Sequence, residues 1–246
     1  MKKKLKTIIV MPAYNAAKTL KKTYDDIPKD IADKIILVDD GSHDKTVDIA
    51  KSLGIETFVH PQNRGYGGNQ KTCYTLALKH GADVIVMLHP DYQYDATLIP
   101  ELIRPLLQNR FDIMLGSRIR SRSEAIKGGM PKYKYFFNRL LTIIQNIVLD
   151  QNLSEYHTGL RAFTKNALEK VPFHNFSDDF VFDQHILISS VYGNSRIGEI
   201  SIPVRYFPDA SSINFRRSVK YGLETLVSLL LFILAKYRIT LNKIFK

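Results

Sequence analysis

The 246-residue sequence predicts an α/β domain with a mainly parallel central sheet and flanking helices. Two observations carry that expectation. Short apolar runs alternate with helical stretches of roughly ten residues through the first half, the pattern of successive βαβ units. Each of the first four runs also empties into a polar, glycine-rich or acidic segment, and in such sheets ligands gather at the carboxyl ends of the strands.

The runs expected as strands are KTIIVM (6–11), KIILVD (34–39), ETFVH (56–60), DVIVML (83–88) and FDIMLG (111–116). Helices are expected between them near 16–26, 43–53, 67–80 and 97–109. The second half is less regular. Residues 133–149 and 180–192 read as helices, RIGEISIPVRYF as a strand bracketed by Gly and Pro, and 217–236 as a final helix. No Pro/Gly/Ser linker separates two units, so 1–218 is expected to form one domain, its second half an elaboration of the first. Residues 219–246 are expected to be an apolar helical segment, associated with a membrane.

One cysteine, Cys73, excludes an intrachain disulfide, fits a reducing compartment and reads as a helix-packing residue. The net charge of +11 is concentrated in two places. Residues 110–139 carry eight Lys/Arg against Asp112 and Glu124, and residues 216–246 carry seven against Glu224. Two basic surfaces suggest anionic partners such as phosphates or an acidic membrane. Nucleic acid is not expected, because the charge lies beside apolar segments and no RNA-binding or helix-turn-helix signature is present. The start, MKKKLKTIIVMPAYN, runs from its apolar stretch into Pro and Asn instead of a small-residue cleavage site, unlike a signal peptide. LETLVSLLLFILA (223–235) is thirteen residues long, short of the about 20 that span a bilayer, and fits a buried or interfacial helix. Leu223, Leu226, Leu230 and Leu234 fall on one helical stripe between basic flanks, which predicts peripheral, salt-sensitive attachment to the cytoplasmic face of an anionic membrane.

Four loops carry candidate chemistry. VDDGSHDKT places Asp39 and Asp40 at a strand end, followed by Gly41 and by Ser42 as a helix N-cap. Two adjacent acids exceed what capping requires, and a carboxylate there can accept hydrogen bonds from a ribose or a base. NRGYGGNQKT is not a dinucleotide fingerprint, since Gln70 stands where the third Gly belongs and the loop follows the third strand. A glycine-rich helix entrance can still bring backbone N–H groups to a ligand, or be a tight turn. In HPDYQYD, Asp91 and Gln93 offer oxygen ligands through which Mg²⁺ or Mn²⁺ would reach a diphosphate. His89 there is a borderline ligand, a hydrogen-bond donor to phosphate, or a satisfied strand-end histidine.

MPAYN, VDDGSHDKT, NRGYGGN, HPDYQYD, GSR (116–118) and HTGLRAF (157–163) stand in the order and spacing of family 2 glycosyltransferases. The sequence resembles most the dolichol-phosphate mannose and glucose synthase branch, over roughly residues 6 to 218. The resemblance implies a GT-A type fold, with a nucleotide site at Pro12, Ala13, Tyr14, Asp39, Asp40, Gly41 and Ser42. It implies a divalent metal, Mg²⁺ or Mn²⁺, held by Asp91 and Gln93, with His89 where the family has its first Asp. Arg118 would face the phosphates, and Arg161 and Asp183 would line the acceptor side. Asp91, Arg118 and Asp183 are thus the implied catalytic residues, and Arg161, Arg205 and Arg216 the implied partners of an acceptor phosphate. Ala16 departs from the family, which often has Glu there. The activity implied is inverting transfer of a hexose from a nucleotide diphosphate sugar (UDP or GDP) to a polyprenyl phosphate. Transfer to a sugar hydroxyl, with Asp183 as general base, and a non-catalytic sugar-nucleotide binder remain as alternatives.

Overall fold

The structure is a computed structural model that describes residues 4–119, 121–127, 129–203, 215–240 and 242–246. Its centre is a seven-stranded sheet: β1 (Thr7–Ala13), β2 (Lys34–Asp39), β3 (Glu56–Val59), β4 (Val84–Met87), β5 (Ile113–Ser117), β6 (Arg161–Thr164) and β7 (Ile197–Ser201). The spatial order is β3-β2-β1-β4-β6-β5-β7. All pairings are parallel except those of β6, which runs antiparallel between β4 and β5.

Central strands with both faces covered read as continuous apolar runs, and TIIVM and VIVM do. Along β1, Ile8 and Val10 point into one core while Ile9 and Met11 point into the other. The first core is closed by α3 (Tyr66–Lys79), α8 (Phe182–Tyr192) and α9 (Phe215–Lys236), and it holds Cys73 as a packing residue. The second is closed by α1 (Leu20–Asp25), α2 (Thr46–Ser52) and α4 (Ile99–Leu107). Helices α5 (Arg122–Lys127) and α6 (Lys132–Leu149) follow β5, and α7 (Lys165–Glu169) follows β6.

Three expectations are corrected. Helices α1 and α2 begin later than periodicity suggests, because the loops before them are tied to each other: Ala16 N–H donates to Thr46 Oγ1 (2.8 Å) and Ala17 N–H to Asp44 Oδ2 (3.0 Å). Ser42 therefore caps no helix; its hydroxyl bonds Asp39 and accepts from Asn15 N–H. Nor does the chain divide at 218/219, since that boundary falls inside α9. Thr225, Ser228, Leu229, Phe232 and Ala235 form its buried stripe, and the Phe232 ring packs against Tyr192 of α8. By length and composition alone α9 could cross a membrane, a point on which a count from residue 223 falls short. Spanning would tear that stripe from the core.

Candidate active site

The parallel pairing sets Ala13 beside Asp39, which brings the β1 and β2 ends together. Pro12 and Ala13 close β1 and Tyr14 is exposed just beyond it. Both acids of the following loop are buried and already bonded. Asp39 accepts from Gly41 N–H (3.1 Å) and Ser42 N–H (2.9 Å), forming the turn itself. Asp40 binds His60 Nδ1 (2.7 Å) and accepts from Arg64 N–H (2.9 Å) and Gly65 N–H (3.0 Å), locking the β3–α3 loop onto β2. Asp40 is thus a hub of the fold, and its replacement without effect on folding is not expected.

The glycine-rich entrance of α3 is also committed. Gly67 N–H donates to Asp178 O at 2.7 Å, so that amide is turned to protein. A Cβ on Gly67 would lie 2.8 Å from Phe182 Cβ. The glycine is required so that the segment leading into α8 can lie on the helix. That contact carries Asp183 to Tyr66 and Gln70, with Tyr66 Oη donating to its Oδ2 at 2.8 Å and Gln70 Nε2 to its Oδ1 at 3.1 Å.

Past β4 the chain turns through Tyr92 in the left-handed region (φ 60°), and Asp91 Oδ1 accepts from Gln93 N–H at 3.1 Å. His89 stacks on Tyr66 with its Nε2 3.3 Å from that hydroxyl. Burial, outweighing the nearby Asp91 and Asp183 charges, lowers its pKa and favours neutral imidazole. Gly159 makes room for it, since a Cβ there would lie 2.9 Å from His89 Cδ2. Among the described residues no three His, Cys, Asp or Glu side chains converge as a cation cage. The donor set instead fits a cation held through one carboxylate, Asp91, and completed by substrate phosphate and water, the habit of Mg²⁺.

Asp91, Gln93, His89, Arg118 and Asp183 border one cavity of about 760 Å³. Arg118 reaches it while bonded to buried Glu155 through Nε and Nη2. Burial alone would raise the Glu155 pKa, but Arg118's charge and hydrogen bonds outweigh it and hold the carboxyl below the ordinary range. Arg161 is corrected from an acceptor-facing residue to a bracing one. It is fully buried, donates to the carbonyls of Thr158, Asp183 and Tyr156, and lies 3.4 Å from Asp183 Oδ2. Arg217, not the exposed Arg216, borders the cavity. Arg205 lies outside the described residues.

Sequence reasoning missed Tyr66, Lys134, Asn138, Glu155 and His157 at this site. Lys134 and Asn138 lie one helical turn apart on α6 and border the cavity; that i, i+4 spacing in a basic segment was the available signal. Beyond the polar end the cavity runs between α6 and α9 and becomes apolar, lined by Phe137, Leu140, Leu141, Ile144, Val219, Leu223 and Leu226.

This sheet order, with the site at the strand ends and an inserted antiparallel strand, defines a GT-A type fold. The structure superposes on Mycobacterium tuberculosis glucosyl-3-phosphoglycerate synthase. With the form holding Mn²⁺, uridine diphosphate and phosphoglyceric acid, the TM-score is 0.71 at 17% identity, covering 93% of this chain and 78% of that one. With the form holding Mg²⁺ and uridine diphosphate it is 0.72 at 18%, covering 93% and 79%. The model of Glycosyl transferase family 2 matches residues 8–172, and the chain belongs to that family of glycosyltransferases. Among its relatives is the UDP-N-acetylglucosamine–dolichyl-phosphate N-acetylglucosaminyltransferase of Methanococcus voltae, 29% identical over 215 residues, 80% of this chain and 85% of the relative. An uncharacterised protein of Methanocaldococcus jannaschii is 29% identical over 198 residues, 80% of this chain and 81% of the relative.

Proposed function

We propose that the protein transfers a hexose or N-acetylhexosamine from a nucleoside diphosphate sugar to a polyprenyl monophosphate, with inversion, at the cytoplasmic face of a membrane. One observation carries this reading: a single cavity whose polar end holds Asp91 and Arg118 and whose other end is an apolar passage between α6 and α9. The outer faces of the same helices leave Phe136, Ile143 and Ile147 (α6) and Val227 and Leu230 (α9) exposed, with Ile147 76% exposed. Apolar patches of this kind mark interaction surfaces. A lipid whose head needs the polar end and whose tail needs the apolar one matches both. The name of the Methanococcus voltae relative supports the acceptor class and makes a uridine diphosphate sugar the first donor to test. The dolichol-phosphate mannose and glucose synthase branch stays a proposal on the same footing.

In this reaction an acceptor phosphate oxygen attacks the anomeric carbon, and the bond to the diphosphate breaks with its electron pair on the leaving oxygen. The acceptor is already an anion, so no strong base is needed. That agrees with Asp183, whose carboxylate is engaged by Tyr66, Gln70 and Arg161 and would have to shed partners to deprotonate a sugar hydroxyl. The nucleotide would lie along the β1 and β2 ends, against Pro12, Ala13, Tyr14 and the Asp39–Ser42 turn. Asp91, with Gln93 and His89 beside it, would hold Mg²⁺ or Mn²⁺, which supplies charge neutralisation at the leaving diphosphate. Arg118, Lys134 and Arg217 bring positive charge to the same space. The test is incubation with UDP- and GDP-sugars and a short polyprenyl phosphate. The expected product is an acid-labile sugar–phosphate–lipid; sugar appearing only on a hydroxyl acceptor would overturn the reading.

A further inference from the structure

His157 borders the cavity shared by Asp91, Arg118 and Asp183, and its carbonyl accepts from Arg118 Nη2 at 2.6 Å. Three buried side-chain polar atoms lack a hydrogen-bond partner among the described residues: Asn69 Oδ1, Gln145 Oε1 and His157 Nε2. Of these residues only His157 lines the cavity.

The ring is held from behind. Nδ1 lies 2.8 Å from Tyr221 Oη and 3.2 Å from Gln184 Nε2, and the Tyr221 ring packs edge-on at 5.5 Å. Gln184 is oriented by its other contacts: its Oε1 accepts from Gln145 Nε2 at 2.6 Å, and its Nε2 faces the Tyr156 carbonyl at 3.3 Å. Gln184 Nε2 also bonds Tyr221 Oη. The hydrogens in this cluster can then be counted. Gln184 supplies two N–H groups and Tyr221 one O–H, and the acceptors within reach are Tyr156 O, Tyr221 Oη and Nδ1. Every hydrogen finds an acceptor only if Nδ1 is unprotonated. A hydrogen on Nδ1 would leave the Tyr221 hydroxyl hydrogen without one. The hydrogen of a neutral ring therefore sits on Nε2, and burial, which pushes this histidine down to about 4, keeps the ring neutral at physiological pH.

We propose that His157 is a substrate-binding residue of this glycosyltransferase, its buried Nε2–H donating to a phosphoryl oxygen when substrate entry opens the cavity wall beside it. The inference rests on the phosphate chemistry of the proposed function. A fixed neutral donor in a cavity that Lys134 also lines complements an oxyanion; Arg118 beside it already has Glu155 as its counter-charge. Two sources present such an oxygen, the acceptor monophosphate and the donor's diphosphate.

Calorimetry with farnesyl phosphate and with UDP, each in the presence of Mg²⁺, separates them. His157→Asn retains an acceptor toward Tyr221 and Gln184 but removes the Nε2–H. It should weaken one ligand by roughly ten- to a hundredfold, the loss expected for a hydrogen bond to a charged group, and His157→Gln should recover part of it. A loss confined to farnesyl phosphate assigns the acceptor, and one confined to UDP assigns the leaving group. A measurement on the wild-type chain avoids any dependence on variant folding: ¹⁵N-histidine spectra should show Nε2 protonated and its resonance displaced by one of the two ligands. His157→Asn binding both ligands like wild type, or an Nδ1–H tautomer, would overturn the inference. A wild-type protein that binds neither ligand would instead overturn the proposed function.

Discussion

The two halves of the site are built by opposite means. At the ends of β1 and β2, the carboxylates of Asp39 and Asp40 are bonded to the protein's own amide, hydroxyl and imidazole groups. Beside α9, His157 Nε2 is left without a partner among the described residues, and on α6 and α9 large apolar side chains stand in solvent. The first half is tied by the protein's own groups; under the proposed function, the second would be completed by the lipid acceptor. A nucleotide is small, polar and invariant, so a preformed turn suits it. A long lipid is recognised by surface and charge.

The largest expected effect lies where the halves meet. Asp91→Asn removes the only carboxylate of its loop facing the cavity and should reduce turnover on the order of a hundredfold or more. Initial rates across Mg²⁺ and Mn²⁺ check this, and wild-type rates would take the cation off the loop. Asp40→Ala tests the rigid half. It strands His60 Nδ1 and two backbone N–H groups, so a loss of about 3 kcal/mol is expected from urea unfolding. Unchanged stability with lost UDP binding would move Asp40 from the fold to the ligand.

Arg118→Lys keeps the charge and loses the fork on Glu155. Turnover should fall about tenfold, with stability down by about 2 kcal/mol at neutral pH. The sign of the pH effect follows from the depressed Glu155 pKa. Such a group contributes stability that is present above its unfolded-state pKa and lost as pH falls through that value toward the folded one. Acid unfolding of Arg118→Lys should therefore begin at higher pH than in wild type; coincident acid transitions would separate Glu155 from Arg118. The smallest change in the fold is expected on the outer face. Ile147→Asp with Leu230→Asp should alter stability by less than about 1 kcal/mol, yet reduce flotation with anionic vesicles severalfold. Equal flotation would remove the membrane surface from the comparison. Truncation at Ser218 is not an equivalent test, because it deletes Leu229, Phe232, Ile244 and Phe245 from the core.

Much of this was legible from residue order. The first five strands lie within two residues of their apolar runs at every end, because a strand covered on both faces must be apolar at consecutive positions. The motif loops fall at strand ends because parallel topology sends every βα connection to one edge of the sheet. Strand β6 was not legible as a separate strand. Its residues, Arg161–Thr164, sit inside a recognised motif but are too few to show a period, and only their neighbours β4 and β5 define them.

Side-chain roles divide the same way. Local sequence determined which loops carry acids, glycines and arginines, since composition and spacing are properties of the chain alone. Tertiary structure decided what each does. Arg161 and Arg118 lie in equally plain motifs, yet one is buried against carbonyls and the other borders the cavity. Gly67 resembles a ligand-binding glycine until Phe182, more than a hundred residues along the chain, is seen to need its space. The hydrogen on His157 is set by Gln145, Gln184 and Tyr221, from three different helices. Hydrogen bonding and burial are relations between distant residues, and no pattern along a single chain encodes which partners packing will bring within 3 Å or so of one another.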